Sequence, residues 1–339
     1  MTMLHYPQYE CEFDAETQEF YDGVVDMFTG IREGHIGRYC FSSARSDNDR
    51  VRGDEHWTRF IKTSAAYYPY RHEIEIIRHA ASHIGKLVSD AHTFIDLGTG
   101  SLNSFERKVL PIIRAGKFKE ITFVDLCTAF SEIATARLKE ELADIKTNTF
   151  LGNFFNSLPM PQSKAAINLF GITLGNIVVD LPNETPEYAL TRTMKHFAAP
   201  LKEKGGYFIF DYDTNEDESS LHASYEHPSY HAMELTILDR VKRDLPTSNF
   251  DPDDFEHVTV WHQRWKLLAH GVRAKTDLKF SIGPYQIDVP RGKFYRTGSS
   301  FKYSDVTIEQ VAENAGFRKL QVFSMPGSTM RVAVYAMRP

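Results

Sequence analysis

Cysteine is scarce: the chain has three in 339 residues, Cys11, Cys40 and Cys127, with no paired spacing. Such a count excludes a disulfide framework or a clustered thiolate metal site and fits a reducing compartment. An excess of positive charge is also missing. Lys and Arg number 39 against 45 Asp and Glu, a formal net charge of −6, and a typical basic stretch is only Lys117 and Lys119 around a Phe. Proteins that grip a phosphate backbone carry a basic face, so nucleic acid is not expected as a partner. Long apolar runs are absent as well. The longest, 165–181, is interrupted by Asn168, Thr173, Gly175, Asn176 and Asp180, and residues 1–12 contain no apolar leader segment. Neither a membrane span nor a secretory signal is expected, which leaves the cytoplasm as the default location. No internal repeat or low-complexity tract is visible.

With 42% hydrophobic and 25% charged residues the composition is that of a globular chain. Its length allows one large domain or two interleaved units. The first ninety residues read as helical and irregular: an apolar face over 15–31 that Gly34 can stop, a polar surface loop over 42–54, and a helix over 72–88 after Pro69. The pattern then changes. Short apolar runs at 92–97, 121–125, 147–151, 165–171 and 206–211 alternate with helical stretches at 105–115, 128–142 and 188–201. That alternation predicts an α/β fold, a doubly wound, Rossmann-like parallel sheet covered on both faces.

Beyond Asp213 the alternation stops. A helical pattern over 221–245 has a break at Pro228, 250–254 reads as a turn, and 258–266, 272–282 and 285–290 read as antiparallel strands. Near the end, Thr307 with Gln310 resembles a capping box, its helix stopping at Gly316, and two β runs at 320–324 and 331–337 flank a Pro-Gly turn. These features predict a nucleotide-binding core at 72–215 plus 301–339, and an α+β substrate-binding domain made of 1–71 and 216–300.

The cofactor pattern begins at Phe94-Ile95-Asp96-Leu97-Gly98-Thr99-Gly100, a strand running into a glycine turn ahead of a helix. Such a turn lets backbone approach a ligand at the carboxyl edge of the sheet. Asp125 ends the second strand, where a carboxylate can accept from both ribose hydroxyls. After the third strand, the Asn153 carbonyl can accept from an adenine amino group while Phe154 covers the ring. NAD is the competing ligand, but its fingerprint wants a third glycine, for packing near a pyrophosphate, where this chain has Asn103. S-adenosylmethionine has no pyrophosphate, and the late pair of β runs suits the reversed strand that closes a methyltransferase sheet. The residues alone favour methyl transfer, with a dehydrogenase as the alternative.

Tyr67-Tyr68-Pro69-Tyr70-Arg71-His72-Glu73, ahead of that glycine turn, resembles the YYPTR-x-E signature of ergothioneine-pathway histidine Nα-methyltransferases and dimethylallyltryptophan N-methyltransferases. Phe123-Val124-Asp125, Gly152-Asn153-Phe154, Gly171 to Ile177, Phe255-Glu256-His257-Val258 and Ser300 to Tyr303 continue the resemblance in order, from about residue 57 onwards. The resemblance implies S-adenosylmethionine as cofactor and a small amine or amino acid as acceptor. It places Gly98, Thr99, Gly100 and Asp125 on the methionyl part and ribose, and Asn153 and Phe154 on the adenine. It implies that Asn176 and Tyr225 orient a substrate carboxylate, that Tyr67 faces the acceptor side chain, and that the Gly171 carbonyl lies beside the reacting amine. Two positions depart from the family. Ser104 stands where a lysine contacts the cofactor carboxylate, and Gly298 stands where an acid grips imidazole, although Ser300 is kept. An imidazole N–H without an acceptor loses about 1–3 kcal/mol, which disfavours histidine.

Methyl transfer from a sulfonium is an in-line displacement that rests on positioning an unprotonated amine and excluding water. The expected activity is N-methylation of a free amino acid or a related small molecule. The alternatives are methylation of a side-chain N or O, and a non-catalytic cofactor-binding protein. Tyr67 or a bound water is the expected proton relay. His79 with His83 and His227 with His231 have i,i+4 spacing, but neither pair has an adjacent catalytic acid and Pro228 interrupts the second, so no metal is expected.

Overall fold

The computed structural model describes residues 15–40, 53–126, 128–181 and 183–338. Cys11, Cys127 and most of the loop expected at 42–54 lie outside these residues. Gly53 and Asp54, at the end of that expected loop, instead open a helix. The first segment holds α1 (Ala15–Thr29), α2 (Gly53–Thr63) and α3 (Tyr68–Leu87). α3 starts four residues earlier than the apolar periodicity suggests, because Pro69 occupies its first turn, where no amide is needed. That early start leaves Tyr67 at the N-cap.

Each expected core run forms a strand: β1 (Thr93–Leu97), β2 (Glu120–Asp125), β3 (Lys146–Leu151), β4 (Ala165–Leu169) and β5 (Gly206–Asp213). β1, β4 and β5 are buried at every position, as strands covered on both faces must be. Between them lie α4 (102–115), α5 (Thr128–Glu141) and α6 (Pro186–Ala198). α4 contains a π turn over Phe105–Val109, directly behind the glycine turn. Such turns recur at functional sites.

The pattern at 221–245 resolves into two helices, α7 (Glu218–Tyr225) and α8 (Pro228–Asp244), with Pro228 at the first position of the second. Six strands follow: β6 (Thr247–Ser248), β7 (Phe255–His262), β8 (Leu267–Ala274), β9 (Leu278–Ile282), β10 (Tyr285–Val289) and β11 (Phe294–Phe301). They form two three-stranded sheets, β10-β9-β6 and β11-β8-β7. The single strand expected at 272–282 is two strands, because a turn intervenes in which the Lys275 amide donates to the Asp254 carbonyl at 2.9 Å. β11 has no apolar alternation. Arg296, Thr297, Ser299 and Ser300 on it are all buried; Arg296 donates to Ser299 on the same strand and to the Glu33 and Val179 carbonyls, and Thr297 donates to Glu234.

The chain returns to the core through α9 (Asp305–Asn314), β12 (Phe317–Phe323) and β13 (Met330–Met337). Ser304, not Thr307, caps α9: its hydroxyl accepts from the Thr307 amide at 3.1 Å. The large sheet runs β12-β13-β5-β4-β1-β2-β3, and β13 is antiparallel to both neighbours while the strands from β5 to β3 pair in parallel. This is the class I methyltransferase order. One sheet face packs Leu190, Phe197 and Ile308 from α6 and α9; the other packs Ile77, Ile112 and Leu138 from α3, α4 and α5. A third apolar cluster joins residues of α1, α2 and α3 to residues of α8 and the two smaller sheets. No helix among the described residues is long and apolar enough to cross a membrane.

A buried ion pair ties the end of β11 to β5. Lys302 Nζ lies 3.1 Å from Asp213, each side chain 1% exposed. Asp213 also accepts from the Tyr68 hydroxyl at 2.5 Å, the Thr329 hydroxyl at 2.7 Å and the Asn215 amide at 3.1 Å. Burial acts to raise the Asp213 pKa, but Lys302 and the hydrogen bonds outweigh it and hold the carboxyl below its ordinary value. A depressed carboxylate contributes stability above its unfolded pKa and loses it as pH falls through the folded value. Lys302→Met leaves a buried carboxylate without its counter-charge and should cost about 3–5 kcal/mol. Urea unfolding measures this, and an unchanged midpoint would show that the pair is dispensable.

Candidate active site

A cavity of about 440 Å³ opens at the carboxyl edge of the parallel strands. It lies where β1 has β2 on one side and β4 on the other, the point where the strand order reverses and doubly wound folds bind ligands. Its first half is built on the loop after β1. Gly98 and Gly100 have φ of 72° and 66°, a left-handed path that side chains resist. Ser101 then caps α4 by accepting from the Ser104 amide at 3.3 Å. Asp125, buried at the end of β2, faces the same cavity and accepts from the Gly100 amide at 3.4 Å. Phe154 lies against the turn: a Cβ on Gly98 would sit 3.5 Å from its ring.

Two residues in this half have hydrogen bonds that bear on their expected contacts. The Asn153 carbonyl oxygen already accepts from the Phe155 amide at 3.0 Å, while its Nδ2 is buried with no hydrogen-bond partner. The side chain is therefore oriented as a donor, which suits an adenine ring nitrogen rather than an amino group. Ser104 turns its hydroxyl to Ser101 at 3.1 Å and to Tyr70 at 3.5 Å. The cation on this wall is Lys108, one helical turn further on, paired with Glu73 at 3.0 Å. Burial opposes the Lys108 charge, but Glu73 and Asp211 outweigh it and hold the ammonium above its ordinary value.

The second half is assembled from distant segments. Tyr67 precedes α3 and Tyr225 ends α7, and their rings meet edge-on with centroids 5.4 Å apart. Burial, with Tyr225, Glu73 and Asp211 close by, pushes the Tyr67 hydroxyl well above the ordinary tyrosine value. It stays protonated near neutrality and is a hydroxyl donor on this wall. Asn176 ends the short turn Thr173–Asn176, its side chain open to the cavity. Gly175 lets that turn lie against β11, since a Cβ there would stand 2.8 Å from the Phe301 carbonyl oxygen.

Between the halves, Gly171 and Ile172 follow β4. Ile172 has φ of 51°, a left-handed conformation that costs a β-branched residue about 1–3 kcal/mol. Its amide donates to both oxygens of Asp211, at 2.9 and 3.0 Å, and the Gly171 amide donates to Glu73 at 3.1 Å. Burial, with Glu73 nearby, raises the Asp211 pKa well above its ordinary value.

The cavity thus gathers Tyr67, Gly171, Asn176, Tyr225, Gly298 and Ser300 with the glycine turn, Ser104, Asp125, Asn153 and Phe154. Sequence reading missed Lys108 and Asp211 and gave Glu73 no role of its own, although Glu73 closes the Tyr-Tyr-Pro tract and Asp211 closes the β5 run. It also missed Glu234 and His270, which nothing local marks. The paired histidines noted in the sequence do other work: His227 Nδ1 accepts from the Ser229 amide at 3.1 Å to cap α8, and His79 sits exposed beside Glu75. Among the described residues, the grouping with metal-ligand types is instead Glu234, His257 and His270, all buried, with ligand atoms within 4.8 Å of one another.

The family profile described as "Histidine-specific methyltransferase, SAM-dependent" matches residues 47–337. The chain is 27% identical over 239 residues to the uncharacterized protein y4iF of Sinorhizobium fredii, covering 68% of this chain and 76% of that one. It is 23% identical over 305 residues to the 4-dimethylallyltryptophan N-methyltransferase easF of Trichophyton verrucosum, covering 84% and 86%. It is 24% identical over 267 residues to the histidine N-alpha-methyltransferase of Mycolicibacterium smegmatis, covering 77% and 79%. The matched span takes in the glycine turn, Asp125 and the reversed final strand, so the chain belongs to the histidine-specific methyltransferase family and is a methyltransferase dependent on S-adenosylmethionine.

Proposed function

We propose that the enzyme methylates the amino nitrogen of a free amino acid or of a small molecule built on one. The observation that carries this reading is the convergence of Asn176, Tyr225 and Tyr67 around the Gly171 backbone, in the same cavity as the glycine turn. S-adenosylmethionine supplies an electrophilic methyl when bound. Asp125 would hold its ribose hydroxyls, Asn153 Nδ2 and Phe154 its adenine, and the backbone of Gly98, Thr99 and Gly100, with Ser104, its methionyl end.

Asn176 and Tyr225 would fix a substrate carboxylate through neutral hydrogen bonds, adding no charge beside the sulfonium. The Gly171 carbonyl, aimed by the Glu73 and Asp211 anchors, would accept an N–H of the reacting amine and so orient its lone pair. Tyr67, protonated, would act as a donor. Trp57, Tyr67, Tyr225 and Tyr230 wall this half with aromatic rings, which excludes water from the transfer.

Losing the ribose hydrogen bonds through Asp125→Ala should weaken S-adenosylhomocysteine binding by about 2–4 kcal/mol, because the acceptor is charged. Calorimetry reads this directly. Unchanged affinity, or tight NAD binding by the wild type, would refute the assignment.

Asn176→Ala is expected to raise KM and lower kcat together, since it removes orientation of the acceptor, with S-adenosylhomocysteine affinity kept. Steady-state kinetics on the best acceptor from a mass-spectrometric screen of amino acids provides the check. Kinetics indifferent to the change would place the acceptor elsewhere.

A further inference from the structure

Glu234 projects from α8 onto the wall of the acceptor half and is 6% exposed. Its carboxyl accepts from the Thr297 hydroxyl at 3.2 Å and is also hydrogen-bonded by Tyr230. Among the described residues no lysine or arginine pairs with it. The other carboxylates on this cavity are engaged: Glu73 with Lys108 and the Gly171 amide, Asp125 with the Gly100 amide. His270, beside it, offers no positive charge, because burial and the neighbouring His257 hold its pKa well below the ordinary value. A buried carboxyl without a counter-charge is costly unless a ligand supplies one. Burial accordingly pushes Glu234 up to about 7, against the pull of Tyr230 and Thr297.

There is also room for a ligand group on this wall. Gly298 pairs with His270 across the β11–β8 ladder and lines the cavity. A Cβ built on Gly298 would meet nothing closer than the Gly37 Cα at 3.9 Å and the His270 Cβ at 4.0 Å. Ser300 Oγ accepts from Lys302 at 3.2 Å, which leaves its hydroxyl proton to donate. The wall therefore presents one strong acceptor, Glu234, and one donor, Ser300, around a vacant side-chain position.

We propose that Glu234 is the specificity-determining residue of the acceptor subsite, its carboxylate taking the side-chain nitrogen of an amino acid that ends in an N–H-bearing group. The inference rests on the amino-acid reading above. It also withdraws the argument against histidine, because the acceptor missing at Gly298 stands on α8 instead.

The test uses the whole enzyme loaded with S-adenosylhomocysteine and two near-isosteric comparisons, lysine against norleucine and histidine against leucine, by calorimetry. In at least one pair the nitrogen-bearing member should bind about 10–100-fold more tightly, the worth of a charge-assisted hydrogen bond. Glu234→Gln keeps the shape and should erase most of that ratio, and Gly298→Glu added to it should restore part. Equal binding within both pairs overturns this proposal alone. Failure of all four amino acids to bind overturns it together with the amino-acid reading. A preference that survives in Glu234→Gln, or a stoichiometric metal occupying Glu234, His257 and His270, overturns it as well. Should Glu234→Gln not fold, the wild-type ratios decide.

Discussion

A β-branched residue does not hold a left-handed backbone unaided, and the active site of this enzyme is arranged around one that does. Ile172 keeps φ at 51° because both oxygens of Asp211 accept its amide, and Gly171 before it is held by Glu73. The two carboxylates come from β5 and α3, and Lys108 from α4 partly neutralises them. Three elements of the core are therefore committed to the direction of one short turn. A shift in any of them would move the Gly171 carbonyl and Asn176 together. Positioning chemistry requires such rigidity, since methyl transfer asks little of the protein beyond geometry.

The two halves of the cavity are built in different ways. The half around the glycine turn is local: one glycine turn, one helix cap and the ends of β2 and β3. Its polar atoms are mostly fixed by near neighbours in the chain, as with Asn153, whose carbonyl is used two residues on. The acceptor half depends on long-range assembly. Tyr67, Asn176, Tyr225, Glu234 and Gly298 come from five separate segments and line one cavity.

Two buried carboxylates show how differently burial is compensated in this fold. Asp213 has Lys302 and three further donors, and its pKa is depressed despite its depth. Glu234 is as enclosed but, among the described residues, has only hydroxyl donors, and its pKa rises to about 7. The first behaves as a fastener between β5 and the end of β11. The second is left incompletely compensated on a cavity wall, as binding groups that await a ligand often are.

The core was legible from the sequence, because strands covered on both faces read as unbroken apolar runs and glycine turns interrupt them at fixed places. The run from Phe94 to Gly100, the carboxylate at Asp125 and the two late β runs announced a cofactor-binding sheet without coordinates. The tract from Tyr67 to Glu73 added the family. What the sequence could not show was where polar residues on irregular strands and amphipathic helices point. β11 went unseen because Arg296, Thr297, Ser299 and Ser300 look like surface residues, although all four are buried in the fold. Glu234 reads as an ordinary polar residue of α8, and only the packing of α8 against α2 and β7 turns it inward to meet the Thr297 hydroxyl. By itself the sequence determined the sheet, the cofactor turn and the chemistry class, which follow from local pattern. The tertiary structure alone decided which buried charges are paired and which line the cavity, because desolvation and pairing are properties of neighbours far apart in the chain.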